Sequence, residues 1–115
     1  MAVTIYHNPR CSKSRQTLSL LRERGHDPKV VEYLKDTPDA ATLDRLLKTL
    51  KMEPRELMRR KEPLYKELNL GAGELSREAL IAAMVDHPIL IERPIVTNGA
   101  KVALGRPPEA VLEIL

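Results

Sequence analysis

Cys11, the only cysteine of this 115-residue chain, lies in a basic segment that reads HNPRCSKSR. Arg10, Lys13 and Arg15 lie within four residues of the thiol, and His7 lies four residues before it. Nearby positive charge favours the thiolate, the form of cysteine that acts as a nucleophile. A lone cysteine is more often an inert core residue, but the local charge here favours a catalytic one. We also consider His7 a candidate to assist it, if the loop folds back.

The elements predicted on either side of this loop also favour a catalytic cysteine. The apolar run VTIY predicts a buried strand over residues 3–6, and SRQTLSLLRERG predicts a helix that stops at Gly25. If the helix begins near Cys11 or Ser12, its unpaired N–H groups and its dipole favour the thiolate as well. The run KVVEYL then predicts a second strand, parallel to the first and reached by a right-handed crossover.

The middle of the chain is predicted to be helical. One helix covers residues 37–50, with Thr37 as its N-cap and Pro38 at its first position. Its core-facing stripe has the spacing i, i+3, i+4, i+7 and consists of Leu43, Leu46, Leu47 and Leu50. Two further helices are predicted over EPRELMRRKE and SREALIAAMVDH, the second capped by Ser76.

The end of the chain predicts a hairpin followed by a helix. In PIVTNGAKVAL, the pair Asn98-Gly99 suits the positive φ angles of a tight turn, and RPPEAVLEIL predicts a last helix with proline at its start. The order of elements predicts an α/β, thioredoxin-like β-α-β…β-β-α core with a helical insertion. We expect residues 1–115 to form one domain.

Composition excludes several function classes. The net charge of +3 is modest and the chain has no Trp or Phe, which argues against a nucleic-acid-binding face. No apolar stretch approaches a membrane span of about 20 residues. We also find no secretory signal and no metal-ligand spacing among the dispersed histidines. We therefore expect a cytoplasmic protein with no metal and no tightly bound cofactor, which binds neither nucleic acid nor membrane.

The absence of a second cysteine constrains the chemistry of Cys11. Ser14 occupies the position that a Cys-x-x-Cys motif would give to the resolving thiol, so any disulfide on Cys11 must involve an external thiol. Glutathione, followed by a separate reductase, would meet that need. The same helix start is suited to bind an oxyanion. A phosphatase-like Cys-x5-Arg loop is excluded because the arginine position is Thr17.

Four segments together resemble the glutaredoxin-coupled arsenate reductases: YHNPRCSKSR, LYKELNL, HPILIERPIV and GRPPEAVLEIL. The likeness extends over nearly the whole chain in the same order, and within that family it is greatest to the short arsenate-reductase-like bacterial proteins. It implies a thioredoxin-like fold and reduction of arsenate to arsenite. The cysteine attacks arsenate, glutathione attacks the thiol-bound adduct, and glutaredoxin regenerates the enzyme.

The resemblance also implies which residues bind the oxyanion. The three arginines of the family fall on Arg59, Arg93 and Arg106, with Arg60 as the alternative if the helix register shifts. We also expect Ser14 to bind the substrate. His7 matches the family's histidine that lies four residues before the catalytic cysteine. Guanidinium groups offer paired donors that suit a tetrahedral anion. The resemblance further implies that Pro94 is a cis-proline facing the active-site loop.

Two other functions stay open at this level. A glutathione-dependent thiol reductase acting on another oxidised substrate would need the same Cys11. A non-catalytic regulator that binds RNA polymerase could share the fold, but it would need a partner surface and no turnover. The three retained arginines favour anion chemistry over the regulator.

Overall fold

The structure, a computed structural model, describes residues 2–115 and divides them into two compact units. The first unit consists of residues 2–36 and 93–115, and the second of residues 37–92. The second unit interrupts the first between its second and third strands. This is the place at which the sequence predicts a helical insertion.

The first unit is built on a four-stranded sheet in the order β2-β1-β3-β4. Its strands are β1 Val3–His7, β2 Lys29–Glu32, β3 Ile95–Asn98 and β4 Lys101–Leu104. β1 and β2 are parallel, as predicted, whereas β1 pairs with β3, and β3 with β4, in antiparallel register. β2 is shorter than predicted because the chain turns at Tyr33, which is buried.

Helix α1, Ser12–Glu23, forms the crossover from β1 to β2. It packs through Leu21 into a core that also includes Val3, Ile5, Val96 and Val111. Gly25 follows the helix at a φ of 82°, a backbone conformation that glycine adopts at little cost. The last segment, Pro108–Ile114, is a 3-10 helix rather than the predicted α-helix. It begins at the second of two consecutive prolines, with Pro107 as its N-cap.

The predicted hairpin is present, but its turn lies one residue later than expected. Asn98 is the last residue of β3 and pairs with Lys101, so the two turn residues are Gly99 and Ala100. Only the glycine takes a positive φ there, of 63°. The Asn98 side chain is buried and donates a hydrogen bond to the Ile114 carbonyl oxygen at 2.6 Å, which ties the hairpin to the terminal 3-10 helix.

The second unit contains helices α2 Ala40–Leu50, α3 Pro63–Glu67 and α4 Arg77–Asp86, with short 3-10 turns at Pro54–Leu57 and Pro88–Leu90. Leu43, Leu46 and Leu47 of the predicted stripe are buried, whereas Leu50 is half-buried. Ser76 caps α4 as predicted, accepting from the Ala79 N–H.

Two predicted helix boundaries in this unit are wrong. The N-cap of α2 is Asp39, not Thr37, because the Asp39 carboxylate accepts from the Thr42 N–H at 2.8 Å. The predicted helix over residues 53–62 ends after Leu57. Met58 instead forms an antiparallel bridge with Ile91, and Pro63 begins α3 after an extended Glu62. Within residues 2–115 no helix combines the length and apolar character needed to cross a bilayer.

Candidate active site

Cys11 is the N-cap residue of α1 and is nearly buried, with 9% of its surface exposed. A tight turn holds it there, since the Cys11 N–H donates to the Asn8 carbonyl oxygen at 3.0 Å. Its own carbonyl oxygen accepts from the Arg15 N–H at 3.0 Å, which starts the helix. Cys11 therefore lies at the end of α1 where the first N–H groups lack partners within the helix, as the sequence predicts.

The pKa of the Cys11 thiol lies below its ordinary value. Burial raises this pKa, but three other groups outweigh burial. The pKa is lowered by the backbone N–H of Ser14, by the charge and the side-chain N–H groups of Arg93, and by the backbone N–H of Lys13. Cys11 therefore has the electrostatic environment of an activated thiolate.

The cation that activates the thiol differs from the sequence expectation. Arg10, Lys13 and Arg15 were expected to favour the thiolate by their charges, but their side chains are exposed. Lys13 contributes through its backbone instead, and the Arg15 guanidinium donates to the Pro9 carbonyl oxygen at 3.0 Å. The expected charge comes from buried Arg93, which precedes β3. Water screens an exposed charge strongly and a buried one little, which explains the difference.

Arg106 lies beside Arg93 on the other arm of the hairpin. Its Nη1 atom donates to the Arg93 carbonyl oxygen at 3.4 Å, while the Gly105 N–H donates to the Pro94 carbonyl oxygen at 2.8 Å. The Arg93-Pro94 peptide bond is cis, in agreement with the resemblance, and Arg106-Pro107 is a second cis bond that we did not anticipate. The hairpin thus brings two of the three predicted anion-binding arginines together.

Gly105 allows this hairpin to pack closely against α1. A Cβ atom at this position would lie 2.7 Å from the Pro94 ring and 2.7 Å from Thr17 Oγ1. Both distances are far below normal contact, so only glycine fits without a shift of the surrounding atoms. Thr17 is thus part of the packing between α1 and the segment that contains the cis-proline. It is also the residue whose identity excludes a phosphatase-like loop.

His7 contacts Ser14 in a buried hydrogen bond, with Nδ1 and Oγ 2.5 Å apart. The Ser14 hydroxyl oxygen also accepts from the Asn8 N–H at 3.0 Å. Burial lowers the pKa of His7, and the charges of Arg22 and Arg15 lower it further, whereas Glu32 acts in the opposite sense. A neutral His7 would accept the Ser14 hydroxyl proton at Nδ1. His7 thus contacts Ser14, and its expected assistance to the thiol stays a prediction.

The third predicted arginine, Arg59, belongs to the second unit. It forms an ion pair with Glu62, in which Arg59 Nη1 and Glu62 Oε1 are 2.5 Å apart. Its backbone N–H donates to the Leu90 carbonyl oxygen at 2.7 Å. The alternative residue, Arg60, is exposed. Their assignment to the oxyanion remains a prediction from the resemblance.

The sequence matches the ArsC family over residues 6–114. The chain belongs to the ArsC family. It is 50% identical to the arsenate reductase of Haemophilus influenzae, with all of both chains covered. It is 65% identical to the Escherichia coli (strain K12) protein called "Uncharacterized protein YfgD", covering 98% of this chain and 96% of the relative.

The solved structure of an arsenate reductase from Vibrio cholerae is similar to this ArsC-family chain throughout. The TM-score is 0.97 at 57% sequence identity, and the match covers 100% of this chain and 98% of the other. The predicted α/β, thioredoxin-like fold is thereby confirmed. The resemblance noted from sequence motifs is confirmed as well.

One feature of the Cys11 site could not be found by reading the sequence locally. Arg93 lowers the thiol pKa although it is far from Cys11 in the chain. Within the second unit, the ion pair of Arg59 with Glu62 was not predicted, and the spacing of three residues was the only sequence signal for it. Among residues 2–115 no group of His, Cys, Asp and Glu is arranged to hold a metal ion.

Proposed function

We propose that this protein reduces arsenate to arsenite, with Cys11 as the nucleophile and glutathione and glutaredoxin as electron donors. The observation that carries the proposal is the Cys11 site itself. Cys11 lies at the N-cap position of α1, where the backbone N–H groups of Ser14 and Lys13 and the Arg93 guanidinium lower the pKa of its thiol. The similar proteins from Haemophilus and Vibrio are called arsenate reductases, and arsenate is an oxyanion on which such a thiolate could act.

Arg93 and Arg106 would hold the arsenate oxygens while the sulfur attacks arsenic. The Arg106 Nη1 atom donates a hydrogen bond to the Arg93 carbonyl oxygen, so the two residues lie side by side. Arg59 would be the third arginine, as the resemblance implies, with Ser14 and His7 shaping the helix start. Charge-assisted bonds from planar guanidinium groups fix a tetrahedral anion and offset the charge that develops on its oxygens.

The redox steps balance with one external thiol. The Cys11 thiolate forms a sulfur–arsenic bond, and one arsenate O–H group takes a further proton from solvent and leaves as water. The thiolate of glutathione then attacks the Cys11 sulfur, the sulfur–arsenic bond breaks, and its electron pair remains on arsenic, which leaves as arsenite. The two thiols lose the two electrons that arsenic gains, and they end as a mixed disulfide. A glutaredoxin thiolate takes the glutathione from this disulfide and releases Cys11.

The sequence contains no other thiol that could replace glutathione, because Cys11 is its only cysteine. This requirement also favours a cytoplasmic location, where a glutathione pool keeps thiols reduced. The reaction as written needs no metal and no tightly bound cofactor. The proposal involves no nucleic acid and no membrane.

A coupled assay tests the function. Purified protein is mixed with arsenate, glutathione, glutaredoxin and glutathione reductase, and NADPH oxidation is followed. We expect arsenate-dependent turnover that requires both glutathione and glutaredoxin. Turnover of a glutathione mixed disulfide without any response to arsenate would favour the thiol-reductase alternative. A folded protein inactive in both assays would contradict the proposal and favour a binding role such as the RNA polymerase regulator.

A further inference from the structure

We infer that a groove between α1 and the terminal 3-10 helix binds the amino-acid head of the thiol co-substrate, which is the γ-glutamyl end of glutathione. The inference rests on the proposed function, which makes glutathione the thiol that meets Cys11. The groove has a volume of about 550 Å³, within the roughly 300–1,000 Å³ of small-molecule sites. It lies wholly within the first unit, because its lining residues belong to α1 or to the segment 108–109.

The walls of the groove are fixed by the packing beneath them. One wall is a face of α1 that extends from Ser12 to Glu23, and the facing wall includes Glu109 of the 3-10 helix. Leu21 of α1 and Val111 of the 3-10 helix lie in the same buried core. The two walls therefore cannot separate without exposing that core, and the groove is a preformed feature of the first unit.

The groove begins beside the proposed nucleophile. Ser12 lines it and directly follows Cys11 in the chain. Arg15 lines it as well and lies one helical turn further on, a rise of about 6 Å from Cys11. The γ-glutamyl arm of glutathione is longer than this rise. A glutathione whose sulfur meets Cys11 can therefore place its amino-acid head beside Arg15.

The groove offers charges of both signs to that head, which carries a carboxylate and an ammonium on one carbon. The Arg15 guanidinium is held at the Cys11 turn, where it donates to the Pro9 carbonyl oxygen at 3.0 Å. This bond uses one of its several N–H groups, and the others suit the carboxylate. We assign the ammonium to Glu109 on the facing wall rather than to Glu23, which lies about 12 Å further along α1 than Arg15.

The test measures mixed-disulfide formation on Cys11 by mass spectrometry, which is unambiguous because Cys11 is the only cysteine. The probe is oxidised glutathione. The Cys11 thiolate attacks one of its sulfurs, the glutathione disulfide breaks, and one glutathione thiolate leaves with the electron pair. Hydroxyethyl disulfide has no amino-acid head, so its rate constant reports the reactivity of the thiol alone. The ratio of the two rate constants then reports recognition of the head.

Glu109→Gln should lower this ratio by about two- to fivefold, the range expected for an exposed charge pair. The direction is decisive, because oxidised glutathione is an anion and the loss of a carboxylate would by charge alone raise the ratio. With N-acetylated oxidised glutathione, which lacks the ammonium, Glu109→Gln should not lower the ratio. Glu113→Gln is the matched control, since Glu113 is an exposed carboxylate of the same 3-10 helix outside the groove lining, and it should not lower the ratio either.

Arg15→Gln should also lower the ratio by about two- to fivefold. Arg10→Gln is its matched control, because Arg10 is an exposed cation next to Cys11 that does not line the groove. The control removes the same charge and should have a clearly smaller effect. The inference is overturned if Arg10→Gln lowers the ratio as much as Arg15→Gln, or if Glu109→Gln leaves the ratio unchanged or raises it.

Two further results separate this inference from the proposed function. If the wild-type protein reduces arsenate with glutathione but Glu109→Gln retains the full ratio, the groove is not the glutathione subsite and the proposed function stands. If the groove variants lower the ratio as expected but the wild-type protein never reduces arsenate, the inference stands and arsenate reduction does not.

Discussion

At the scale of single residues, the proposed chemistry depends on Cys11. Cys11→Ser should abolish arsenate reduction and leave the fold intact, since serine is nearly isosteric but cannot form the sulfur–arsenic bond. The coupled assay measures turnover, and circular dichroism provides the folding control. Turnover comparable to wild type in a folded variant would show that the chemistry lies elsewhere.

The lowered pKa of Cys11 makes a second prediction at this scale. Thiolate absorbance in a pH titration should give a midpoint below the ordinary thiol value of about 8.5. Arg93→Ala should raise the midpoint, because it removes a charge and a hydrogen bond that favour the thiolate. Arg10→Ala should change it much less, since that side chain is exposed and screened. Equal shifts in the two variants would contradict our assignment of the activating cation.

The two hairpin arginines give a third prediction. Replacing Arg93 or Arg106 with alanine should weaken arsenate protection of Cys11 by roughly tenfold or more, because a hydrogen bond to a charged group contributes about 1.5–3 kcal/mol. Lysine should restore only part of the protection, since it keeps the charge but loses the planar fork. The measurement is the alkylation rate against arsenate concentration. Unchanged protection in folded variants would contradict the predicted oxyanion site.

At the scale of elements, the contact between the hairpin and α1 depends on Gly105. Gly105→Ala should destabilise the protein by about 1–3 kcal/mol, the usual cost of forcing extra atoms into a packed interior. The new Cβ would collide with the Pro94 ring and Thr17. The measurement is the free energy of unfolding in urea.

Gly73→Ala is the matched control for this prediction. A Cβ at Gly73 would meet nothing within 4 Å, and this glycine does not need a positive φ. The variant should therefore be as stable as wild type. If Gly105→Ala were as stable as the wild-type protein, the hairpin could move away from α1 at little cost in free energy.

At the scale of the whole molecule, buried His7 should make stability depend on pH. Its pKa in the folded protein lies below the ordinary 6.5, mainly because of burial. Between these two values the unfolded chain binds a proton that the folded protein does not. The free energy of unfolding should therefore be greatest above pH 6.5 and fall as the pH is lowered through that window.

The His7 contribution can be separated from the rest of the protein with His7→Asn. The stability difference between wild type and this variant should shrink as the pH falls from 7.5 to about 5.5, in urea unfolding at each pH. Asp39 and Asp44 do not interfere, because their lowered pKa values place their titration well below this range. A difference that is constant with pH would contradict a buried, neutral His7.

The sequence by itself determined the order of the elements and the place of Cys11, the candidate nucleophile, between a strand and a helix. Apolar β-branched runs, the heptad-like leucines of α2 and the Asn98-Gly99 pair depend on local chain chemistry, which is why the strands, the insertion and the hairpin were predicted. The position of Cys11 between β1 and α1 needed nothing more than those local patterns. Two helix boundaries were predicted wrongly. Asp39 rather than Thr37 caps α2, and Met58 forms a bridge with Ile91, which is distant in sequence.

Only the tertiary structure decided which charge acts on the thiol. Local sequence favoured Arg10, Lys13 and Arg15, but the effect of a charge depends on burial and distance rather than on separation along the chain. The antiparallel pairing of β1 with β3 brings the segment that begins with Arg93 to the sheet edge from which Cys11 follows. No local pattern encodes that pairing, since it arises from strands that the whole second unit separates in sequence.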